Sequence, residues 1–378
     1  MSTEEAQAPN DWLSMIHEVG PEFADRAAEH DETDEFVAEN FEELKTRRFF
    51  SALVPAELGG GGVTHRQMCR LLRQLAGYCS STALSCSMHQ HLVSAQVWNH
   101  LHGKPGKMVL EKVAANELVL ISTGARDWLG SNGEVEKVDG GYRVSAKKFF
   151  ASGSPSGDLL VTSAPYEDPD EGWQVLHFAV PFSADGVSLE MNWRAMGMRG
   201  TGSNTVVLDG VFVPEETVAL KRPRDRFHPV WSVVLTVSMP LITSVYVGLA
   251  EKAAAMVRQG AAKRASDPVL PYLLGELENV LTSAQLAVDS MVELANDFDF
   301  EPETERANAI VVRKTLAVKA ALQTTEKALE VTGGGGFYRA MGLERFVRDA
   351  HAGHFHPLQE KRQHLFTGRL ALGLDPIA

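Results

Sequence analysis

The spacing of apolar residues changes twice along this chain of 378 residues. Up to about residue 116 the apolar positions recur at helical spacing, from Glu117 to about Val218 they alternate with a period of two, and beyond Pro229 the helical spacing returns. Helices, then strands, then helices predict an α+β fold. The predicted domains are an N-terminal α-helical domain at 1–116, a middle β-domain at 117–222 and a C-terminal helical domain at 223–378.

The middle segment has the turn and strand signals of a small antiparallel barrel or sandwich. Val135–Val138 and Tyr142–Val144 flank Asp139-Gly140-Gly141, and an Asp-Gly pair tolerates the positive φ angles of a tight hairpin turn. Further alternating segments predict strands at Leu159–Ser163, Trp173–Pro181, Val187–Met191 and Thr205–Val213.

Long segments without helix breakers predict the helices on either side. In the N-terminal domain these are Asp25–Phe50 and Thr64–His102, which the Pro55–Gly62 loop separates. In the C-terminal domain an apolar seam recurs at alternate spacings of four and three residues, which keeps it facing a partner helix. Its members are Leu273, Leu277, Val280, Ala284, Ala287, Met291 and Leu294. Three more long segments, Val247–Ala265, Ala307–Thr332 and Leu343–Leu374, predict a four-helix bundle.

Charge and cysteine content exclude several classes of protein. The 36 basic and 49 acidic residues give a net charge of −13, which argues against a general binder of nucleic acid or anionic membranes. The three cysteines, Cys69, Cys79 and Cys86, contain no C-x-x-C pair, so neither a disulfide framework nor a zinc site is indicated. The N-terminus is acidic and no apolar run is expected to span a bilayer, so a cytoplasmic location is predicted.

The stretch Met196–Glu216 combines a glycine-rich loop with a strand. Glycines and small hydroxyl side chains surround Arg199, and an alternating strand then runs into Pro214. Glycine allows the backbone to turn tightly and to approach a neighbour closely. These residues predict a close-approach loop that leads into a half-buried strand.

The order of residues in this stretch resembles a signature of the acyl-CoA dehydrogenase superfamily, G-x-R-G-[ST]-x-[ST] followed by a strand that ends in V-P-x-E. Three further segments resemble the family's motifs in the same order along the chain. They are Val54-Pro-Ala-Glu-Leu-Gly-Gly60, Ala328-Leu-Glu-Val-Thr-Gly-Gly-Gly-Gly-Phe-Tyr338 and Leu343-Glu-Arg-Phe-Val-Arg-Asp-Ala350. The resemblance covers nearly the whole chain and implies the same order of domains and the use of FAD.

The chain has neither a G-x-G-x-x-G nor a P-loop phosphate motif. The positions that would bind a flavin are therefore taken from the resemblance. Lys147-Lys-Phe-Phe-Ala-Ser-Gly153 is similar to the family's G-x-K-x-W-I-[ST]-N, which gives Phe150 the place of the stacking aromatic residue and Ser152 the place of the hydroxyl that bonds flavin N5. Arg264 matches the arginine that binds the FAD pyrophosphate across a subunit boundary. The remaining cofactor-binding residues implied in this way are Gly333, Gly334 and Gln359.

The catalytic base of the family is missing from both of its usual positions. The glutamate that removes the substrate's α-proton corresponds here to Pro357 or, in the family's second pattern, to a position near Ser238. Histidines are present instead, and a neutral imidazole can act as a base or a hydrogen-bond donor. His356 and His91 are the predicted catalytic residues together with Ser152, and His351, His354 and His89 lie close to them in the sequence. No metal site is predicted, because no acidic residue accompanies these histidines at a regular spacing.

Two reactions and one non-catalytic role are compatible with these residues, and the first reaction is the predicted function, with the other two as alternatives. The first is oxidation of an acyl thioester at its CH–CH bond by FAD with an unusual base, which implies an electron-transfer flavoprotein as partner. The second is oxygen insertion with reduced FMN or FAD supplied by a flavin reductase, the chemistry of a monooxygenase branch of the same superfamily. The third is a catalytically silent subunit of a hetero-oligomer. A small-molecule substrate and a homotetramer or homodimer are expected, because the family's flavin site needs two subunits.

Overall fold

The computed structural model describes residues 11–123 and 127–377, so the acidic residues 1–10 lie outside the described part of the chain. The helices of its N-terminal region are α1 (Trp12–Thr33), α2 (Ala38–Thr46), α3 (His65–Ala76), α4 (Ser80–Leu101) and α5 (Lys107–Asn116). Each of the two predicted long stretches is therefore divided into two helices. The first ends where Asp34 adopts a left-handed conformation, with φ of 58°, and the second is interrupted after Ala76.

The middle region is a pair of four-stranded sheets. Its strands are β1 (Leu120–Ser122), β2 (Glu134–Val138), β3 (Gly141–Ala151), β4 (Leu159–Asp168), β5 (Gly172–Pro181), β6 (Val187–Glu190), β7 (Asn204–Pro214) and β8 (Leu220–Pro223). One sheet has the order β1-β4-β5-β8 and the other β2-β3-β7-β6. The pairing is antiparallel as predicted, except that β1 runs parallel to β4.

Two local features of this β-region follow directly from the sequence. The predicted hairpin joins β2 to β3, with Val138 opposite Gly141 and with Gly140 at φ of 74°. In β7 the alternation of buried residues skips one position between Leu208 and Val211, where Gly210 has φ of 60°. The extra residue is a β-bulge, which returns the following apolar residues to the core face.

The C-terminal region contains the predicted bundle of four helices. The helices of this region are α6 (Pro229–Ala261), α7 (Leu270–Ala295), α8 (Thr304–Thr332), α9 (Leu343–His351) and α10 (Glu360–Ala371), of which α9 and α10 together correspond to the fourth predicted segment. The segment predicted as one helix over Leu343–Leu374 is divided into α9 and α10, because residues 352–359 form a 3₁₀ turn and an irregular loop that contains Pro357. Pro357 has no backbone N–H for an α-helical hydrogen bond.

The apolar seam of α7 packs against another helix. Its most buried residues differ slightly from the predicted members of the seam. Its most buried members are Leu277, Leu281, Ala284, Val288 and Met291. The predicted members between them, such as Ala287, are half-buried. Spacings of four and three residues place all of these on one stripe of the helix.

Helix α6 is the central helix of the bundle. Residues Pro229–Arg264 contain a window with mean hydropathy of 1.9, so this helix is long and apolar enough to cross a membrane, contrary to the sequence expectation. However, 94% of that window is buried inside the structure. The N-terminal helices contribute to this burial, since Nε2 of His65 on α3 lies 2.8 Å from the carbonyl oxygen of Val237.

Candidate active site

Three hydroxyl groups form a chain where the end of β3 meets the loop before β7. Oγ of Ser152 lies 2.7 Å from Oγ of Ser203, which lies 2.7 Å from Oγ1 of Thr201. Thr201 donates its proton to the carbonyl oxygen of Met198 at 2.8 Å. Each hydroxyl has only one proton, so Ser203 donates to Thr201 and Ser152 donates to Ser203. The oxygen of Ser152 is left with the capacity to accept a further hydrogen bond.

Phe150 lies two residues before Ser152, in a strained and exposed conformation. Its φ is 58° and its side chain is 46% exposed. The strain coincides with a shift in the β3–β7 register between Lys148 and Ala151. Its ring makes an edge-to-face contact with Trp193, with centroids 6.1 Å apart. A left-handed phenylalanine is unfavourable, and such outliers cluster at functional sites.

Buried ionic contacts hold the loop that carries Thr201 and Ser203. Asp349 of α9 accepts the backbone N–H of Met198 at 2.5 Å and the hydroxyl of Ser80 of α4. The neighbouring Arg348 forms a bidentate ion pair with Asp31 of α1 and donates to the carbonyl oxygen of Met196. The Arg-Asp pair of α9 therefore joins α1, α4 and the loop, which is a structural role.

A buried ion pair also anchors β3. Nζ of Lys148 lies 3.1 Å from Oδ2 of Asp127 and donates to the carbonyl oxygens of Asn132 and Ser163 at 2.8 and 2.6 Å. Asp127 also accepts the hydroxyl of Thr123 at 2.8 Å. All the lysine's protons are directed at acceptors, so Lys148 anchors the strand that presents Phe150.

His356 lies in the loop between α9 and α10, against α6. Its Nε2 is 2.6 Å from the hydroxyl of Tyr246. Burial, together with the charges of Lys314 and His91, lowers the pKa of His356 to about 3. Burial also raises the pKa of Tyr246 well above its ordinary value. The imidazole is therefore neutral near pH 7, and the phenol O–H donates to it.

Lys314 and Tyr246 belong to this site, although the sequence analysis did not identify them. The ammonium of Lys314, on α8, donates to the carbonyl oxygens of His356 at 2.8 Å and Leu358 at 3.2 Å. Lysine on the buried apolar stripe of a helix is a detectable signal, since Lys314 follows Ile310 and Val311 and precedes Ala317 at core spacing. Tyr246 has no comparable local signal, because it occupies an apolar stretch of α6.

The two candidate histidines of α4 have different surroundings. Both ring nitrogens of His89 are hydrogen-bonded in the core. Nε2 lies 2.8 Å from the carbonyl oxygen of Phe50, and Nδ1 accepts the N–H of Leu120 at 3.0 Å. Nδ1 of His91 makes no hydrogen bond within the described residues, and burial lowers the pKa of His91 to about 4. His91 is close enough to His356 for their charges to interact.

The two positions implied for a glutamate base carry no acid. Pro357 follows His356 directly in the loop. Ser238 lies on α6 with 2% exposure, and its hydroxyl has no hydrogen-bond partner within the described part of the chain. The nearest buried carboxylate along α9, Asp349, is occupied by Met198 and Ser80. The residue next to the family's glutamate position that could interact with a proton is therefore His356 rather than a carboxylate.

The predicted phosphate-binding residues form a separate group at the end of the bundle. The guanidinium of Arg264, just after α6, donates to the carbonyl oxygen of Val331 at the end of α8. Gly333 follows with φ of 71°, and a Cβ added at Gly333 or Gly334 would meet no atom within 4 Å. Gln359 lies elsewhere, at the start of α10, with its side-chain amide 3.4 Å from the carbonyl oxygen of Phe355.

Apart from Gln359, the predicted site residues fall into three groups within one chain. Phe150 and Ser152 lie together on the β-region, and Arg264 lies with the glycines at the end of the bundle. The third group brings His356 and His91 together between α4, α6 and α8. His351 and His354 are neighbours, with ring centroids 6.3 Å apart. In the described ranges no group of three His, Cys, Asp or Glu side chains is arranged to hold a metal ion.

Two family models match the chain. The model described as "Acyl-CoA dehydrogenase, N-terminal domain" matches residues 15–117, and the one described as "Acyl-CoA dehydrogenase, C-terminal domain" matches residues 241–360. Both matches fall on the helical regions that flank the two sheets.

Similar proteins include named oxidoreductases of more than one kind. The putative acyl-CoA dehydrogenase YdbM of Bacillus subtilis (strain 168) is 27% identical and covers 92% of each chain. The probable FMNH2-dependent monooxygenase SfnC of Pseudomonas putida is 25% identical over 94% of this chain and 93% of that protein. The crystal structure of a nitrososynthase from Micromonospora carbonacea var. africana superposes with a TM-score of 0.88, at 25% identity over 98% of both chains.

Proposed function

Because the chain belongs to the acyl-CoA dehydrogenase superfamily, we propose that it is the oxygenase component of a two-component flavin-dependent monooxygenase. It would receive reduced FMN or FAD from a separate flavin reductase and oxidise a small molecule. The observation that carries the proposal is the character of the group at the family's glutamate position. That position holds Pro357, which has no acidic group, and the residue before it is His356, a neutral imidazole with a pKa of about 3 that is hydrogen-bonded to Tyr246.

Such an imidazole is poorly suited to dehydrogenation of an acyl thioester. That reaction needs a positioned base to remove an α-proton, and proton transfer is most effective when the pKa of the base is near the working pH. His356 falls well below that range, and Pro357 and Ser238 provide no carboxylate. A neutral Tyr246–His356 pair can instead position a polar substrate by hydrogen bonding. Oxygen insertion does not require removal of an α-proton.

The β-region has groups that fit an isoalloxazine ring. Phe150 presents an exposed ring from a strained bulge, and aromatic faces stack on flat ring systems. The chain of hydroxyls leaves Ser152 as an acceptor, which suits the N–H that a reduced flavin has at N5. When bound, a reduced flavin would supply two electrons to O2, so that one oxygen atom enters the substrate and the other leaves as water.

A second copy of the chain would complete the flavin site. Arg264 and Gly333 lie in their own group at the end of the bundle, and a guanidinium is suited to bidentate binding of phosphate. Beside the glycines, Phe337 and Tyr338 are 87% and 72% exposed. Exposed aromatic residues of this kind are typical of protein interfaces. These features support the proposal of a homodimer or homotetramer in which one protomer supplies these residues to its partner's Phe150.

Acyl-CoA dehydrogenation with bound FAD is the second candidate. It is favoured by the similarity to a putative acyl-CoA dehydrogenase at 27% identity. In that reaction His356 or His91 would have to act as the base despite their lowered pKa values. Electrons would then pass to an electron-transfer flavoprotein rather than come from a reductase.

Anaerobic spectroscopy with purified protein separates these candidates. The protein is loaded with FAD and mixed with saturated acyl-CoAs of several chain lengths, and the flavin absorbance is followed without oxygen. In parallel, reduced FMN and reduced FAD are bound anaerobically and the complexes are mixed with O2. The monooxygenase proposal predicts no bleaching by acyl-CoA and a return of oxidised-flavin absorbance that is slower than for free reduced flavin.

Each alternative has its own outcome in this experiment. Bleaching of bound FAD by an acyl-CoA would overturn the monooxygenase proposal in favour of dehydrogenation. A protein that takes up neither oxidised nor reduced flavin would support a catalytically silent subunit. The oligomeric state, measured by light scattering with and without flavin, tests the contribution of a second copy.

A further inference from the structure

Lys314 is a buried cation that contacts the His356 loop directly. Its side chain is 2% exposed, and its Nζ donates to the carbonyl oxygens of His356 and Leu358. We propose that Lys314 is a positioning residue for His356: it fixes the loop between α9 and α10 and so holds the imidazole against Tyr246. The role in catalysis rests on the function proposed above, whereas the effect on His356 is independent of it.

The contrast with Lys148 indicates that Lys314 has more than a structural role. Both lysines are buried, but Lys148 is paired with Asp127 at 3.1 Å. Lys314 has no ion pair within the described residues, and burial lowers its pKa to about 8. Burying an unpaired charge is unfavourable, and an apolar side chain would fill the same position on α8 without that cost. The carbonyl oxygens that receive its protons belong to the loop that presents His356.

The geometry also explains how Lys314 acts on the imidazole. Two carbonyl oxygens on either side of Pro357 converge on one ammonium group, so the loop is held at the position from which His356 reaches Tyr246. The positive charge is close enough to disfavour a proton on His356. The same contact therefore holds the loop in place and adds to the effect of burial in keeping the ring unprotonated.

The other charged or titratable groups around this pair are few. His91 on α4 and Tyr246 on α6 face His356, and each would change its proton affinity if it titrated. His354, in the same loop, interacts with the charge of Lys314. Tyr246 stays protonated and His91 stays neutral near pH 7, because burial shifts both pKa values away from neutrality. Lys314 is therefore the cation of this set near pH 7, while the carboxyl of Asp349, which accepts hydrogen bonds from Met198 and Ser80, acts on Tyr246.

The test uses the full-length protein without flavin, labelled with ¹⁵N in its histidine rings. Long-range NMR spectra report the protonation and tautomer of His356 in the wild type and in Lys314→Met, Lys314→Arg and Lys319→Met. Lys319 is the matched control, because it lies on α8 in an exposed ion pair with Glu360. A His356→Gln spectrum assigns the signal.

Removal of the charge is expected to change His356 specifically. In Lys314→Met the midpoint for protonation of His356 rises by roughly one pH unit or more, and the Tyr246 hydroxyl proton exchanges faster with water. Lys314→Arg retains the wild-type midpoint, and so does Lys319→Met. A wild-type His356 signal in Lys314→Met, or an equal change in Lys319→Met, would overturn the proposal.

A measurement on the wild type keeps the proposal testable if Lys314→Met does not fold. Because the pKa of Lys314 is about 8, the ring signals of His356 are expected to shift as the pH is raised from 7 to 9. Constant ring signals across that range would contradict the coupling. Failure of the oxygenase proposal leaves this result untouched, since no flavin or substrate is present, so the two failures can be distinguished.

Discussion

The hydroxyl of Tyr246 and Nε2 of His356 lie 2.6 Å apart, although the residues are 110 positions apart in the sequence. The shifted pKa values of Tyr246 and His356 both favour the neutral form of the side chain. Burial keeps the phenol protonated, and burial with the nearby charge of Lys314 keeps the imidazole unprotonated. The pair is therefore a neutral hydrogen bond, in which one ring donates and the other accepts.

Tyr246→Phe removes the donor of this hydrogen bond with little change in shape. We expect turnover to fall about tenfold, because a ring that is no longer held can rotate away from its productive position. Steady-state kinetics with the substrate found by the oxygenase assay provides the measurement. Tyr166→Phe is the control, since Tyr166 is half-buried against Tyr142 in the sheets. Unchanged turnover in Tyr246→Phe would mean that the pair has no part in the reaction.

Replacement of the imidazole itself is expected to have at least as large an effect. His356→Ala should lower turnover by roughly tenfold or more, because the imidazole that would hold a polar substrate in its productive position is lost. His364→Ala is a suitable control, because His364 is 52% exposed on α10. If the two variants have the same kinetics as the wild type, His356 must be removed from the mechanism.

Buried neutral histidines make the free energy of unfolding depend on pH. The folded pKa is about 4 for His89 and His91 and about 3 for His177 and His356, against an ordinary value of 6.5. Between these values the unfolded state binds more protons than the folded state, so stability falls as the pH drops below 6.5. Each such histidine removes about 1.4 kcal/mol per pH unit within its window.

The contribution of a single histidine can be isolated from this pH dependence. Urea unfolding of the wild type, His356→Gln and His364→Gln is measured at pH 8, 7, 6 and 5. Below pH 6.5 the slope of the unfolding free energy against pH should be smaller in His356→Gln than in the wild type, by the amount that corresponds to about one bound proton. In His364→Gln the slope should equal that of the wild type. Parallel curves for the wild type and His356→Gln would show that His356 is not held neutral in the folded state.

Local patterns were sufficient to predict the fold. Alternation of apolar residues predicts β7, and an Asp-Gly turn predicts the hairpin between β2 and β3, because each depends on residues close in sequence. Helix ends were less predictable. The break between α9 and α10 follows from an irregular loop around Pro357, within a stretch whose apolar spacing alone suggested continuity. The length and burial of α6 were also missed, since buried residues, several of them serine or threonine, lie on all sides of much of this helix.

The candidate site was only partly predictable, for a physical reason. His356 stands out in a histidine-rich stretch, but its partners Tyr246 and Lys314 come from helices remote in sequence. Their roles depend on how α6 and α8 pack around the loop. Conversely, histidine is a residue type that often acts in catalysis, yet both ring nitrogens of His89 are hydrogen-bonded to the backbone of Phe50 and Leu120. Sequence identifies residue types, whereas packing decides which polar atoms remain available.

The ordered hydroxyl chain predicts a preference for one redox state of the flavin. With Ser203 in place, Ser152 accepts and therefore favours a flavin that has an N–H at N5. Ser203→Ala frees the Ser152 proton, so Ser152 can donate to the oxidised ring. We expect the ratio of affinities for reduced and oxidised flavin to fall about tenfold, the value of one hydrogen bond.

Anaerobic titrations with reduced and oxidised FMN and FAD measure this ratio directly. Ser188→Ala is the control, because Ser188 lies exposed on β6. An unchanged ratio in Ser203→Ala would mean that the hydroxyl chain does not select the redox state.

Phe150 allows stability and binding to be separated at one position. Its φ of 58° is unfavourable for phenylalanine and ordinary for glycine, and its half-exposed ring buries little surface. Phe150→Gly should therefore leave the free energy of unfolding unchanged or raise it by about 1 kcal/mol. The same change should weaken flavin binding about tenfold, because the stacking ring is lost.

The matched comparison is Phe212→Gly on β7, whose side chain is 45% exposed and whose φ is not positive. We expect this variant to lose stability, since glycine weakens a regular strand, and to bind flavin as the wild type does. Urea unfolding and flavin titration are measured on both variants. Wild-type flavin affinity in Phe150→Gly would contradict the assignment of this ring to the flavin site, and a loss of stability as large as in Phe212→Gly would contradict the strain. Together the two variants determine whether the left-handed phenylalanine is maintained for binding rather than for folding.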